Sequence, residues 1–164
     1  MSKLPNSKYL VTGCAGFIGS SLVDRLLNLG HKVIGIDNFS TGQKKFINSA
    51  LQNSNFELVE VDLLDFDNLL KHFVNIDAVF HLAANADVRF GIENTYRDLQ
   101  QNTIATYNVL ESMRLNDVYK IIFSSTGSVY GESEVIPTPE NGPFPIQTSL
   151  YGASKVAGEG LISS

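Results

Sequence analysis

A chain of 164 residues, 43% hydrophobic and 18% charged, has the make-up of one soluble globular domain and is long enough to bury a core. Its formal net charge of −5 lacks the basic excess that tracks a phosphate backbone, so nucleic acid is not an expected partner. A single cysteine, Cys14, excludes an internal disulfide, His31, His72 and His81 lack metal-ligand spacing, and no signal peptide or membrane-crossing apolar run is visible, so no metal and no membrane are expected and the cytoplasm is the expected location.

The predicted elements alternate along the chain. "KYLVTG" (Lys8 to Gly13) reads as a strand. "GFIGSSLVDRLLNLG" follows as a helix, with Ile18, Leu22, Leu26 and Leu29 at helical spacing and Gly30 as its stop. "KVIGID" (Lys32 to Asp37) is a second strand, and "TGQKKFINSALQN" is expected to be helical. "FELVEVD" (Phe56 to Asp62) is a third strand, "DFDNLLKHFV" a helix and "IDAVFHLA" (Ile76 to Ala83) a fourth strand. A long helix is expected from about Thr95 to Arg114, then a fifth strand, "KIIFSS" (Lys120 to Ser125). Strands this short and this apolar suit a parallel sheet covered on both faces. The alternation predicts a doubly wound α/β fold. Between Gly131 and Thr148 the sequence is irregular and rich in proline, either a surface loop or a loop framing a site at the carboxyl ends of the strands.

Five features carry chemistry. "TGCAGFIG" places Gly13, Gly16 and Gly19 directly after strand one and at the start of a helix. Such a turn lets the backbone approach a pyrophosphate, at a helix end that carries roughly half a positive charge. Cys14 inside it reads as a packing residue. Asp37 ends strand two, where a carboxylate either accepts hydrogen bonds from both adenosine ribose hydroxyls or caps the next helix. In the first role it would repel a 2′-phosphate, which favours NAD over NADP. Asp62, with Leu63 beside it, ends strand three and stands either as a cap or near the adenine amino group. "HLAANADV" ends strand four in small side chains, as close approach to a flat cofactor requires, with His81 read as a packed strand residue. Last come "FSSTGSVYG", with a hydroxyl at Thr126, and "YGASK", with Tyr151 and Lys155 at i and i+4 on one helical face. A lysine charge beside a phenol favours its ionised form and moves it toward the range where a general base works best.

Together, "TGCAGFIG", "DNFSTG", "DLLD", "HLAA", "NTIATYNVLE", "SSTGSVYG" and "YGASK" resemble, in order and over essentially everything after Lys8, the extended short-chain dehydrogenases/reductases. The resemblance is to their NAD-dependent epimerase/dehydratase branch, with a Rossmann-type NAD-binding domain. It implies that Gly13, Gly16, Phe17, Ile18 and Gly19 meet the pyrophosphate. Asp37, Asn38, Ser40, Thr41 and Gly42 would hold the adenosine ribose, and Asp62 and Leu63 would flank adenine. Leu82, Ala83, Ala84 and Ala86 would line the cofactor, and Asn102, Ser124, Tyr151 and Lys155 would complete its shell. Thr126, Tyr151 and Lys155 match the catalytic hydroxyl, tyrosine and lysine, with Thr126 also toward substrate; Val88 and Arg89, after strand four, stand either toward substrate or on the surface.

Dehydratases of the family place acids straight after the catalytic threonine; here Gly127 and Ser128 stand there, similar to UDP-glucose 4-epimerases. The implied function is epimerisation at C4 of a nucleotide sugar, of the UDP-glucose/UDP-galactose kind, by transient oxidation. A dehydratase, decarboxylase or reductase of the same family is the alternative, and a non-catalytic NAD-binding module another. Family members run to about twice this length. Residues 1–164 are therefore expected to be the dinucleotide-binding domain without the substrate domain, inactive or nearly so alone, and part of a homodimer in the longer enzyme.

Overall fold

The computed structural model describes residues 6–87, 93–142 and 146–164. Five strands form one sheet in the order β3-β2-β1-β4-β5: β1 Lys8–Thr12, β2 Lys32–Asp37, β3 Phe56–Glu60, β4 Ala78–His81 and β5 Ile121–Phe123. Every pairing is parallel, with Thr12 opposite Ile36 on one side and His81 on the other. Leu10 and Val11 of β1 and nearly all of β2 are buried, whereas β3 and β5, at the edges, are only partly covered. This is the doubly wound Rossmann-type sheet that the alternation predicts. Strand order reverses beside β1, the place where such sheets open a crevice for ligands.

The chain divides into two units, Met1–Ala83 with Asn108–Phe123, and Ala84–Tyr107 with Ser124–Ser164. The first holds the sheet. Its helix α1 (Phe17–Asn28) turns Val23, Leu26 and Leu27 into a core shared with Val11, Val33, Ile47 and Ala50. It ends as Gly30 foretells. Gly30 adopts φ +86°, its N–H bonds the Leu27 carbonyl at 2.9 Å, and the His31 N–H bonds the Leu26 carbonyl at 3.1 Å. That pair of bonds closes the last turn with the left-handed residue glycine favours.

The expected helix over residues 41–53 does not form. Two short 3₁₀ turns stand there, Lys44–Ile47 and Ala50–Gln52, anchored by the buried Ile47 and Ala50. Gln43 N–H is held by the distant Ala15 carbonyl at 3.0 Å, and the Asn53 side chain takes the Asn55 N–H at 2.9 Å, a local bond that competes with helix continuation. The next helix shrinks likewise to one α turn, α2 (Phe66–Leu69), capped by Asp65 and followed by a 3₁₀ turn, Leu70–His72. Strands three, four and five are also shorter than read. After β4 the Leu82 and Ala83 N–H groups both bond Thr12 Oγ1 at 3.2 Å, so a side chain ends that ladder.

In the second unit the long helix is interrupted. Helix α3 (Thr95–Asp98) passes through a π-helical turn (Leu99–Ile104) into α4 (Ala105–Leu115), whose residues from Asn108 onward belong with the first unit. Helix α5 (Leu150–Ser163) is capped by Ser149, whose hydroxyl accepts the Gly152 N–H at 3.0 Å. The proline-rich segment is irregular, and residues between Tyr130 and Thr148 line a cavity of about 450 Å³. Among the described residues no helix is long and apolar enough to cross a membrane.

Candidate functional site

The residues singled out in the sequence divide between the two units. In the first, the glycine loop is built as a cradle. Gly13 adopts φ +69°, and a Cβ there would lie 2.9 Å from the Ala83 backbone. A Cβ at Gly19 would lie 2.1 Å from the Gly13 carbonyl oxygen, so loop and helix touch because both lack side chains. The loop is tethered by Gly13 and Cys14 N–H groups to the Ile36 carbonyl at 2.8 and 3.2 Å. Gly16 is the N-cap of α1 and offers no side-chain cap, leaving the first-turn amides for an incoming acceptor. Phe17 and Ile18 flank them, 81% and 63% exposed.

Asp37 is buried at the end of β2. One carboxylate oxygen accepts the Ala15 N–H and the other the Phe39 N–H, each at 2.9 Å. It therefore braces the glycine loop from below, and its remaining lone pairs stay free to accept ribose hydroxyls. Gly42 is needed beside it, since a Cβ there would fall 2.6 Å from the carboxylate. Asn38 accepts the Ser40 N–H at 3.0 Å and hydroxyl at 2.8 Å, and donates to Asp62 at 2.9 Å. Asp62 also takes the Leu64 N–H at 2.9 Å, which makes a local turn; the cap of the next helix is Asp65, so the capping alternative read for Asp62 does not hold. Leu63 is buried and its carbonyl accepts from Asn108 at 2.8 Å; Thr41 is exposed. Cys14 is fully buried, and burial, with the Asp37 charge, pushes its thiol up to about 12, which makes it a packing residue and no nucleophile. His81 is packed as expected, its Nδ1 2.7 Å from Thr12 Oγ1.

In the second unit Tyr151 and Lys155 stand one turn apart on α5. Lys155 is 3% exposed, and its Nζ donates to the Ser124 carbonyl at 2.9 Å. Burial draws its pKa down from 10.5 to about 8, so it remains mainly protonated at neutral pH. Thr126 leaves β5 in an extended conformation and its Oγ1 takes the Ser128 N–H at 3.1 Å. The glycine of "YGASK" has a cause as well: a Cβ at Gly152 would meet Gln147 Oε1 at 2.6 Å and the Ser128 carbonyl at 3.1 Å.

Asn102 lies on the π turn, 2% exposed. Its Oδ1 accepts the Asn85 N–H at 2.8 Å and its Nδ2 donates to Ser154 Oγ at 2.9 Å. Ser154 in turn donates to the Tyr151 carbonyl at 2.8 Å, and Asn85 donates to Asp98 at 2.8 Å. Asn102 thus braces the segment after β4 and the helix of Tyr151, a role beyond the cofactor contact implied for it. Ala84 is partly buried and Ala86 exposed. Val88 and Arg89 lie outside the described residues.

Residues 9–164 match the model of the NAD dependent epimerase/dehydratase family. The chain belongs to that family. NAD is the family's cofactor, and the uncapped helix start, the glycine cradle and Asp37 are chemically suited to it. The chain is 43% identical over 153 residues to a UDP-glucose 4-epimerase of Mycolicibacterium smegmatis, covering 92% of this chain and 48% of that protein. It is 34% identical over 141 residues to UDP-glucuronic acid decarboxylase 1 of Danio rerio, covering 86% of this chain and 32% of that one. Among solved structures, a UDP-galactose 4-epimerase superposes with a TM-score of 0.84 at 42% identity, over 94% of this chain and 50% of that one. A UDP-glucuronic acid 4-epimerase variant from Bacillus cereus, in complex with a fluorinated UDP-glucuronic acid and NAD, superposes at 0.85 with 37% identity, over 95% and 51%. The chain spans about half the length of the curated relatives it matches at 43% identity.

Sequence reasoning missed Thr12, Asn85, Asp98, Ser154 and Glu159. The partners of Thr12 and Ser154 are 69 and 52 residues away, a pairing no local pattern announces. Glu159 did carry a signal, since it follows Lys155 by one helical turn.

Proposed function

We propose that this chain supplies the cofactor-binding and proton-handling part of an NAD-dependent nucleotide-sugar 4-epimerase, acting on a UDP-sugar. The observation that carries the reading is Lys155, buried on the Tyr151 face of α5 and fastened to the Ser124 carbonyl, two residues before Thr126. A buried ammonium is costly, and a chain that keeps one beside a tyrosine and the exit of β5 has a use for it there.

Bound NAD supplies reversible acceptance of hydride. The chain's own residues do the rest. Gly13, Gly16 and Gly19 with the first-turn amides of Phe17 and Ile18 bind the pyrophosphate. Asp37 with Asn38, Ser40, Thr41 and Gly42 holds the adenosine ribose, and Asp62 and Leu63 border adenine. Leu82, Ala83, Ala84, Ala86, Asn102 and Ser124 would each contact the cofactor as well. Lys155 holds the nicotinamide ribose. Tyr151, with Thr126, would take the proton from the sugar 4-hydroxyl and later return it; because the cofactor would both accept the C4 hydride and give it back, the reaction has no net redox change. Gly127 and Ser128, where an acid would be needed to protonate a departing hydroxyl, favour epimerisation over elimination.

Similarity to UDP-glucuronic acid decarboxylases favours a second reading, oxidation at C4 followed by loss of carboxylate. One experiment separates the two. The chain, within an enzyme of its relatives' full length, is incubated with NAD and either UDP-galactose or UDP-glucuronic acid, and products are resolved by chromatography. Interconversion of UDP-galactose and UDP-glucose without net NADH, lost in Tyr151→Phe, supports the first. Release of carbon dioxide selects the second. NAD binding with no turnover of any sugar nucleotide leaves a binding module. Pairing into a homodimer in a cytoplasmic enzyme belongs to the same proposal, and sedimentation of the NAD-loaded protein tests the pairing.

A further inference from the structure

One side chain outside those assigned above shares the α5 face of Tyr151 and Lys155. Glu159 follows Lys155 by four residues, as Lys155 follows Tyr151, so the three form one stripe along the helix. Its carboxylate accepts a hydrogen bond from Ser125 Oγ. One turn earlier, Lys155 Nζ holds the Ser124 carbonyl at 2.9 Å. Two successive residues leaving β5 are therefore fastened by two successive rungs of one helix, one through its backbone and the other through its side chain.

The next residue is Thr126. Its hydroxyl accepts the Ser128 N–H at 3.1 Å and its carbonyl accepts the Val129 N–H at 3.3 Å, so the turn Gly127–Tyr130 hangs from the point where the two rungs end. Glu159 is half-buried, and a charge-assisted bond to a hydroxyl offsets part of the desolvation that this placement costs. The bond spans 34 residues of sequence, and it joins the helix of the tyrosine to the strand exit of the threonine.

We propose that Glu159 is a positioning residue that acts through Ser125 to set where Thr126 stands. The use made of Thr126 rests on the function proposed above; the placement does not. The test takes the full chain with NAD in four variants: Glu159→Gln, which keeps an acceptor oxygen, Glu159→Leu, which keeps volume without one, Ser125→Ala, and Ser125→Ala with Glu159→Leu. Amide hydrogen exchange at Ser128 and Val129 reads the Thr126 turn directly.

Glu159→Leu and Ser125→Ala should each raise that exchange by about tenfold, the double variant no further, and Glu159→Gln by less than about twofold, with Leu10 and Ile34 unchanged throughout. No change in Glu159→Leu overturns the proposal. So do additive single effects, a Gln variant as poor as the Leu variant, or a rise that spreads to Leu10 and Ile34. Where the parent protein epimerises, kcat should fall about tenfold in Glu159→Leu with KM within about twofold, and return in Glu159→Gln. A parent protein without turnover counts against the function alone, because the exchange measurement still decides the placement.

Discussion

Lys155 shows how one residue ties burial to chemistry. Its folded pKa of about 8 lies below its ordinary value of 10.5, because burial disfavours the charged form. Between those two values the unfolded chain holds a proton that the folded chain has released. Stability therefore rises with pH across that window, and the desolvation penalty is fully present below it. Denaturant unfolding from pH 7.5 to 10.5 should show the wild type gaining on Lys155→Met, at a slope approaching about 1.4 kcal/mol per pH unit. Parallel pH profiles would contradict the buried placement. Gly19 makes the opposite case, a residue defined by what it lacks. An alanine there would put a Cβ 2.1 Å from the Gly13 carbonyl oxygen, and backbone has to move. Gly19→Ala should cost about 1–3 kcal/mol in melting experiments and weaken NAD binding measured by calorimetry.

Elements matter here for where they start and where they break. Helix α5 begins at Leu150 after its cap, Ser149, whose hydroxyl accepts the Gly152 N–H three residues on. Ser149→Ala should lower stability by about 1 kcal/mol in a denaturant titration, since a first-turn donor loses its acceptor. A change below a few tenths would mean the helix is set by its packing instead. The π turn at Leu99–Ile104 is the second break. It places Asn102 where both ends of its amide find partners, Asn85 on one side and Ser154 on the other. Such turns recur at functional sites because an inserted residue re-aims a side chain without ending the helix. An uninterrupted helix over the same residues, as expected from the sequence, would present Asn102 at a different angle.

At the scale of the whole chain, the sheet order β3-β2-β1-β4-β5 sets which strand ends can serve a ligand. β1 ends in Thr12 and the glycine loop, and β2 in Asp37, neighbours in register through Thr12 and Ile36. Cys14 sits among them, fully buried, with its thiol pushed up to about 12. It is a built-in reporter of whether this unit is folded. Ellman's reagent should label the native chain more than about a hundredfold more slowly than the chain in denaturant. Rapid labelling of the native chain would show that the loop opens without unfolding the sheet.

The β-α alternation, the glycine loop, Asp37 and the Tyr151–Lys155 pair were all legible in the sequence, because each rests on spacing within a few residues. Gly30 and Gly13 were legible for the same reason: each takes a positive φ, which glycine adopts most readily. The stretch over residues 41–53 misled because helical composition does not count the local side-chain bonds that compete with it. Strand ends misled because Thr12, distant in sequence, takes the N–H groups of Leu82 and Ala83. The sequence by itself determined the family and the fold class, since covalent spacing imposes those patterns. Only the tertiary structure decided what Asp37, Asn102, Lys155 and Glu159 hold. Their partners come from segments far along the chain, and burial, which moves the Lys155 and Cys14 pKa values in opposite directions, exists only once those segments meet.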